Sequence, residues 1–162
     1  MCDYSLMAVP NRLAQEGEEL VTHRFPTGSL GLASPGDIAR AVIAAAPTRK
    51  TFFGMLKEFF NPPASSPVCA VCIPPGARLR LQNIPQRLQQ SLGVAPCEEV
   101  TFTQLSAAAN TYRDAVRFAN GRDLRLQELR EGMQVTVLDL SSAEELDLEA
   151  LRLEREPMLR AR

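Results

Sequence analysis

Residues 68–140 repeat one local pattern: short runs in which apolar and polar side chains alternate, separated by turn residues. "ARLRLQNI" places Leu79 and Leu81 on one side and Arg78 and Arg80 on the other. "EEVTFTQL" does the same with Val100 and Phe102, and "MQVTVLDL" with Met133, Val135 and Val137. A period of two is the mark of a half-buried strand. Only the short "PQRLQQSLG", ended by Gly93, reads as a helix among these runs. The strand–helix alternation of a parallel sheet is therefore missing, and the pattern predicts a mostly antiparallel sheet.

The stretch "AVRFANGRDLRL" fixes a hairpin more closely. Asn120-Gly121 suggests a two-residue turn, but that loop would pair Phe118 with Asp123 and Val116 with Arg125. A three-residue loop, Ala119 to Gly121 with Gly121 left-handed, puts Val116, Phe118, Leu124 and Leu126 on one face. A one-residue slip would expose all of them, so the three-residue loop is expected.

Upstream, "EELVTHRFPTG" reads as a strand with Val21, His23 and Phe25 on one face, and "VCAVCI" as a short buried strand. "ASPGDIARAVIAAAP" starts a helix, with Ser34 as cap and Pro35 in the first turn, and Pro47 closes it. "SSAEELDLEALRLEREPMLRAR" predicts a C-terminal helix with acidic residues at its start and arginines at its end, as the helix dipole favours. The expected fold is α+β: a small, mostly antiparallel, partly barrel-like sheet with three to four helices. One domain is expected over 1–162, with a proline-bracketed insertion at 47–67 and a helix and frayed tail at 141–162.

The charge balance excludes several functions. Eighteen basic and 19 acidic side chains give a net charge of −1, without the basic excess of a nucleic-acid binder. No run approaches the ~20 apolar residues needed to span a bilayer. The N-terminus carries neither a signal-peptide pattern nor a myristoylation glycine, so a cytoplasmic location is expected, with the four cysteines mostly reduced.

The insertion holds the least generic element. In "TFFGMLKEFF", Phe52, Phe53, Leu56, Phe59 and Phe60 form an apolar face, and four of the seven phenylalanines of the chain lie there. A helix of that length is not stable alone in water, so this face must be buried. Either it packs on the sheet of its own chain or it docks on a protein partner or a second copy. The second possibility makes the chain a non-enzymatic interaction module or an accessory subunit of an assembly.

Catalytic candidates are few. Cys2 stands behind the initiator methionine, and a mature N-terminal cysteine has an α-amine able to act as base for its thiol. "MC" is similar to the start of class II glutamine amidotransferases and of SOS-response-associated peptidases. That resemblance implies an amide hydrolase or transferase using Cys2, although Asp3 stands where those families typically have glycine. The rhythm of "GRDLRLQELREGMQVTVLDL" resembles the β domains of Hint proteins, but the histidine block and terminal His-Asn of splicing members are missing. Cys69-x-x-Cys72 has no second pair at zinc spacing, and residues three apart in a strand face opposite ways. Both are read as ordinary buried cysteines. His23, the only histidine, is read as a core or boundary residue. The acidic pairs Glu18-Glu19, Glu98-Glu99 and Glu144-Glu145 are read as solvated faces or strand ends. No metal and no cofactor are expected.

Overall fold

The computed structural model describes Leu6 and residues 9–45, 68–105 and 111–141. Nine strands form one sheet: β1 (Asn11–Leu13), β2 (Glu19–Arg24), β3 (Leu30–Ala33), β4 (Ala70–Cys72), β5 (Arg78–Gln82), β6 (Glu98–Gln104), β7 (Asp114–Phe118), β8 (Asp123–Arg125) and β9 (Gln134–Asp139). The strand order is β1-β4-β3-β2-β9-β5-β6-β7-β8. Two α-helices accompany it among the described residues, α1 (Pro35–Ala45) and α2 (Gln86–Leu92).

This corrects the α+β expectation of three to four helices. The sheet dominates and is mixed, because β1 pairs in parallel with β4 while the other strand pairs are antiparallel. Two of the helices expected from sequence, in 47–67 and 141–162, lie outside the described residues apart from Ser141. The three-residue β1 added to the sheet has no alternation of its own to read. Its partner enters the chain more than fifty residues later, with Asn11 opposite Ala70 and Leu13 opposite Cys72.

The alternating segments fold as their pattern demands. Leu79, Leu81, Val100, Phe102, Met133, Val135 and Val137 are all buried. They share one continuous core with Leu20, Leu30, Leu32 and Val116. The hairpin has the three-residue loop: the Phe118 N–H donates to the Arg122 carbonyl, the Gly121 N–H donates to the Phe118 carbonyl, and Val116 lies opposite Leu124. Gly121 has φ +81°, a conformation in which a Cβ is strained.

One face assignment differs from expectation. In β2 the deep core takes Leu20 and Thr22, while Val21 and His23 are only half-buried. A threonine can enter the core here because its hydroxyl is fully used. It donates to the Arg130 carbonyl at 2.6 Å and accepts from the Met133 N–H at 2.9 Å. Buried polar groups are tolerated when they are bonded in this way.

The sheet also folds back on itself. β8 runs into a 3-10 turn (Leu126–Glu128) whose Gln127 meets the first residue of β3. The Leu30 N–H donates to Gln127 Oε1 at 2.9 Å, and Gln127 Nε2 donates to the Leu30 carbonyl at 2.7 Å. The side-chain amide thus imitates a neighbouring strand.

At the β1-β4-β3 end sits a second, smaller core of Leu6, Val9, Phe25, Ala33 and Ala70, with Ile38 of α1 and Val68 packed against it. Gly31 makes room for it. A Cβ there would stand 2.7 Å from Leu6 Cδ1 and 3.0 Å from Phe25 Cε2.

Candidate functional site

Cys2 and the contact residues Phe52, Phe53, Leu56, Phe59 and Phe60 lie outside the described residues. The ends from which the 46–67 segment departs are described. It follows α1 directly and rejoins the chain at Val68, and both α1 (through Ile38) and Val68 pack on the smaller core. Whatever the phenylalanines touch, their segment starts and finishes beside one cluster.

Helix α1 is the most exposed apolar element there. Ile38 and Ala41 are half-buried, whereas Ala39, Val42 and Ile43 are exposed. Positions 39, 42 and 43 have the i, i+3, i+4 spacing that lines one helix face. Val42 is 64% and Ile43 74% exposed. Among the side chains of α1 that are described, none is buried. The helix is apolar on two faces and the sheet covers only one of them.

The cysteines divide. Cys69 precedes β4, is half-buried and free, and its thiol lies 3.7 Å from the Ala70 carbonyl. Cys97 is exposed and free. Cys72, within β4 and 5% exposed, is disulfide-bonded. The reading of Cys69 and Cys72 as two ordinary buried thiols is thus corrected, and the C-x-x-C pair is not joined to itself.

His23 has structural partners. Its Nδ1 lies 3.6 Å from Glu131 Oε1 and its ring meets Phe25 edge-on at 5.0 Å. Glu131 also accepts the Arg24 N–H at 3.0 Å. It thereby ties the β2 strand to the turn before β9.

Three members of the acidic pairs have described contacts. Glu18 bonds Arg12 and accepts the Gln15 N–H, and these contacts hold its carboxyl below the usual glutamate range. Glu98 accepts the Ala95 N–H at 2.7 Å. Glu99 sits between Arg80 and Arg78, which together lower its pKa from the surface of the sheet. Glu144 and Glu145 lie outside the described residues. Among the described residues no three His, Cys, Asp or Glu side chains converge on a metal-sized site. Nor is any helix there long and apolar enough to cross a membrane.

A groove that no local pattern announces runs between α2 and the β8 hairpin, with a volume of about 610 Å³. Leu88, Leu92, Leu124 and Leu129 line it together with Arg87 and Arg130. Two of its lining residues are tied to the hairpin: Asn120 Nδ2 donates to the Leu92 carbonyl and Arg122 donates to the Ser91 carbonyl. Elements close in space but more than thirty residues apart in sequence build it, so spacing in the chain could not reveal it.

No family model, curated protein or solved structure matches this chain.

Proposed function

We propose that the chain is a non-enzymatic interaction module that assembles with a second copy of itself. The contacts would run through the outer face of α1 together with Phe52, Phe53, Leu56, Phe59 and Phe60. The observation that supports this reading is the uncovered α1 face, with Val42 and Ile43 exposed directly before the phenylalanine segment. Contiguous exposed apolar surface is the usual mark of a protein contact. Burying side chains of this size contributes roughly 1.5–3 kcal/mol each. Ala39 and Ala44 on the exposed side allow another backbone to approach closely. A net charge of −1 puts little electrostatic repulsion between two copies.

Sedimentation velocity of the full chain across the micromolar range tests this. The wild type should show a concentration-dependent shift to a larger species. Val42→Asp with Ile43→Asp, both exposed and harmless to the core, should abolish the shift with an unchanged far-UV spectrum. Phe52→Ala with Phe59→Ala should weaken it. A wild type that stays monomeric, or a Val42→Asp/Ile43→Asp variant that still associates, overturns the proposal.

A further inference from the structure

Most arginines among the described residues have partners. Six form ion pairs with carboxylates. Arg122 donates to the Ser91 carbonyl, and Arg113 is also engaged. Arg87, Arg125 and Arg130 are left with no ion pair or hydrogen bond to their guanidinium groups among the described residues. Two of these three, Arg87 and Arg130, line the groove between α2 and the β8 hairpin. They come from different elements, α2 and the turn before β9. Glu128 is the one carboxylate of the lining, so two arginines against one glutamate leave it positive on a chain of net charge −1. We propose that this groove binds an acidic amphipathic helix of a partner protein, with aliphatic side chains against its leucines and carboxylates against Arg87 and Arg130.

The groove is held open by its own bonds. α2 ends at Gly93, whose φ of +66° lets its N–H close on the Gln89 carbonyl. Gln89 Nε2 donates to the Ile84 carbonyl at 2.6 Å at the other end of the helix. The bonds from Asn120 and Arg122 fix α2 to the hairpin. Leu88 and Leu92, one helical turn apart, pack on the main core but stay half-buried. No residue of α2 is fully buried. A site preorganised in this way loses little entropy when it is filled. Its lining has four leucines and no aromatic side chain, which suits aliphatic anchors and offers nothing for a flat ring to stack on. An amphipathic helix presents apolar anchors at i, i+3, i+4 and i+7 with charges beside them, the complement of an aliphatic lining with separate cations.

The sign of the partner's charge follows from the local groups alone. A chain of net charge −1 exerts no general attraction on an acidic ligand. A preference for glutamate over lysine in the ligand therefore reports Arg87 and Arg130. Both are exposed, so each new pair is a surface ion pair of modest strength. Two such pairs together give a preference of about tenfold. High salt should weaken that preference and leave the leucine contacts in place.

The test is fluorescence anisotropy of the full chain with a labelled helix-forming peptide of about 15 residues. The peptide has leucines at i, i+3, i+4 and i+7 and glutamates elsewhere. One control replaces the glutamates with lysines, and another replaces the leucines with serines. The glutamate peptide should bind about tenfold more tightly than the lysine peptide, and the serine peptide should not bind. Arg87→Glu with Arg130→Glu should reverse the preference. Ser91→Trp places a large ring in the groove from an exposed lining position and should remove binding with an unchanged far-UV spectrum. Val42→Asp with Ile43→Asp should leave binding unchanged, which separates this site from the α1 face. Equal affinity for the glutamate and lysine peptides, no binding of either, or binding that survives Ser91→Trp overturns the proposal. So does binding of dodecanoate in place of the peptide, or altered sedimentation of Ser91→Trp, which would make a second copy the occupant. Binding that appears only once residues 142–162 are removed would give the groove to that segment and overturn it as well.

Discussion

Thr22 offers the sharpest perturbation of this fold, because Thr22→Val changes one hydroxyl into one methyl and almost nothing else. Thr22 is 1% exposed. Its hydroxyl serves two backbone groups of the 130–133 turn, the Arg130 carbonyl and the Met133 N–H. The Thr22 backbone serves two more: its N–H donates to the Met133 carbonyl at 3.0 Å and its carbonyl accepts from the Gly132 N–H at 2.8 Å. Valine keeps the backbone pair but leaves the Arg130 carbonyl and the Met133 N–H without the hydroxyl. An unsatisfied buried group costs about 1–3 kcal/mol. Two of them, less the ~1 kcal/mol that the added methyl gains on burial, give a net loss of about 1–5 kcal/mol, centred near ~3 kcal/mol. Thr22→Ser keeps the hydroxyl and loses one methyl group, a cost of about 1 kcal/mol. Urea denaturation followed by circular dichroism measures both. With a slope of about 1–3 kcal/mol per molar urea, Thr22→Val should lower the midpoint by roughly 1–2 M and Thr22→Ser by less than half of that. If Thr22→Val matches wild type, or Thr22→Ser is the weaker variant, the hydroxyl is not what admits this residue to the core.

Three further perturbations have defined outcomes. Gln127→Met removes the amide that pairs both ways with Leu30, and should cost about 1–3 kcal/mol. Its specific signature is faster hydrogen exchange at the Leu30 amide. Gly31→Ala drives a Cβ to within 2.7 Å of Leu6 Cδ1 and should cost about 1–3 kcal/mol. Combined with Leu6→Ala the loss should be clearly less than the sum, because the colliding methyl is gone. Glu18 stays ionised to lower pH in the fold than in the unfolded chain, where its ordinary value is 4.5. Its contribution is complete above that value and is lost as pH falls through the depressed folded value. Stability measured by urea titration from about pH 6 to about pH 3 should therefore fall less steeply in Glu18→Gln than in wild type.

What the sequence disclosed depends on how far apart the deciding residues are. Leu79 and Leu81, Val100 and Phe102, and Val135 and Val137 announce their face because each neighbour two positions on repeats the choice. The 118–122 loop was legible for the same reason: only one register hides Phe118 and Leu124 together. Thr22 shows the limit. Its burial depends on groups 108 and 111 residues away, and nothing in "LVTHR" signals them. The parallel pairing of β1 with β4 is equally non-local, and three residues are too few to show a period. His23 was legible as a boundary residue: it is half-buried, and Phe25 two positions on meets its ring. The bond at Cys72 was not legible, because C-x-x-C drew attention to the nearer cysteine. The strand geometry that parts residues three apart argued against joining Cys69 to Cys72 but could not name another partner.

The α1 face rests on the smaller of the two cores, and this gives the proposed contact surface a mechanical dependence. Ile38 anchors α1 to the same cluster that holds Leu6 and Ala70. Among the described residues that cluster has five buried members against the twenty of the main core, so each contact in it carries a larger share of the local stability. Leu6→Ala removes one of the five and loosens the support beneath Ile38, while the main core, which lacks Leu6, stays intact. Hydrogen exchange of that variant should then speed up in α1 and β1 and leave β5, β6 and β7 unchanged. A uniform increase across the sheet would instead mean that the two cores unfold as one unit, with no separate control of the α1 surface.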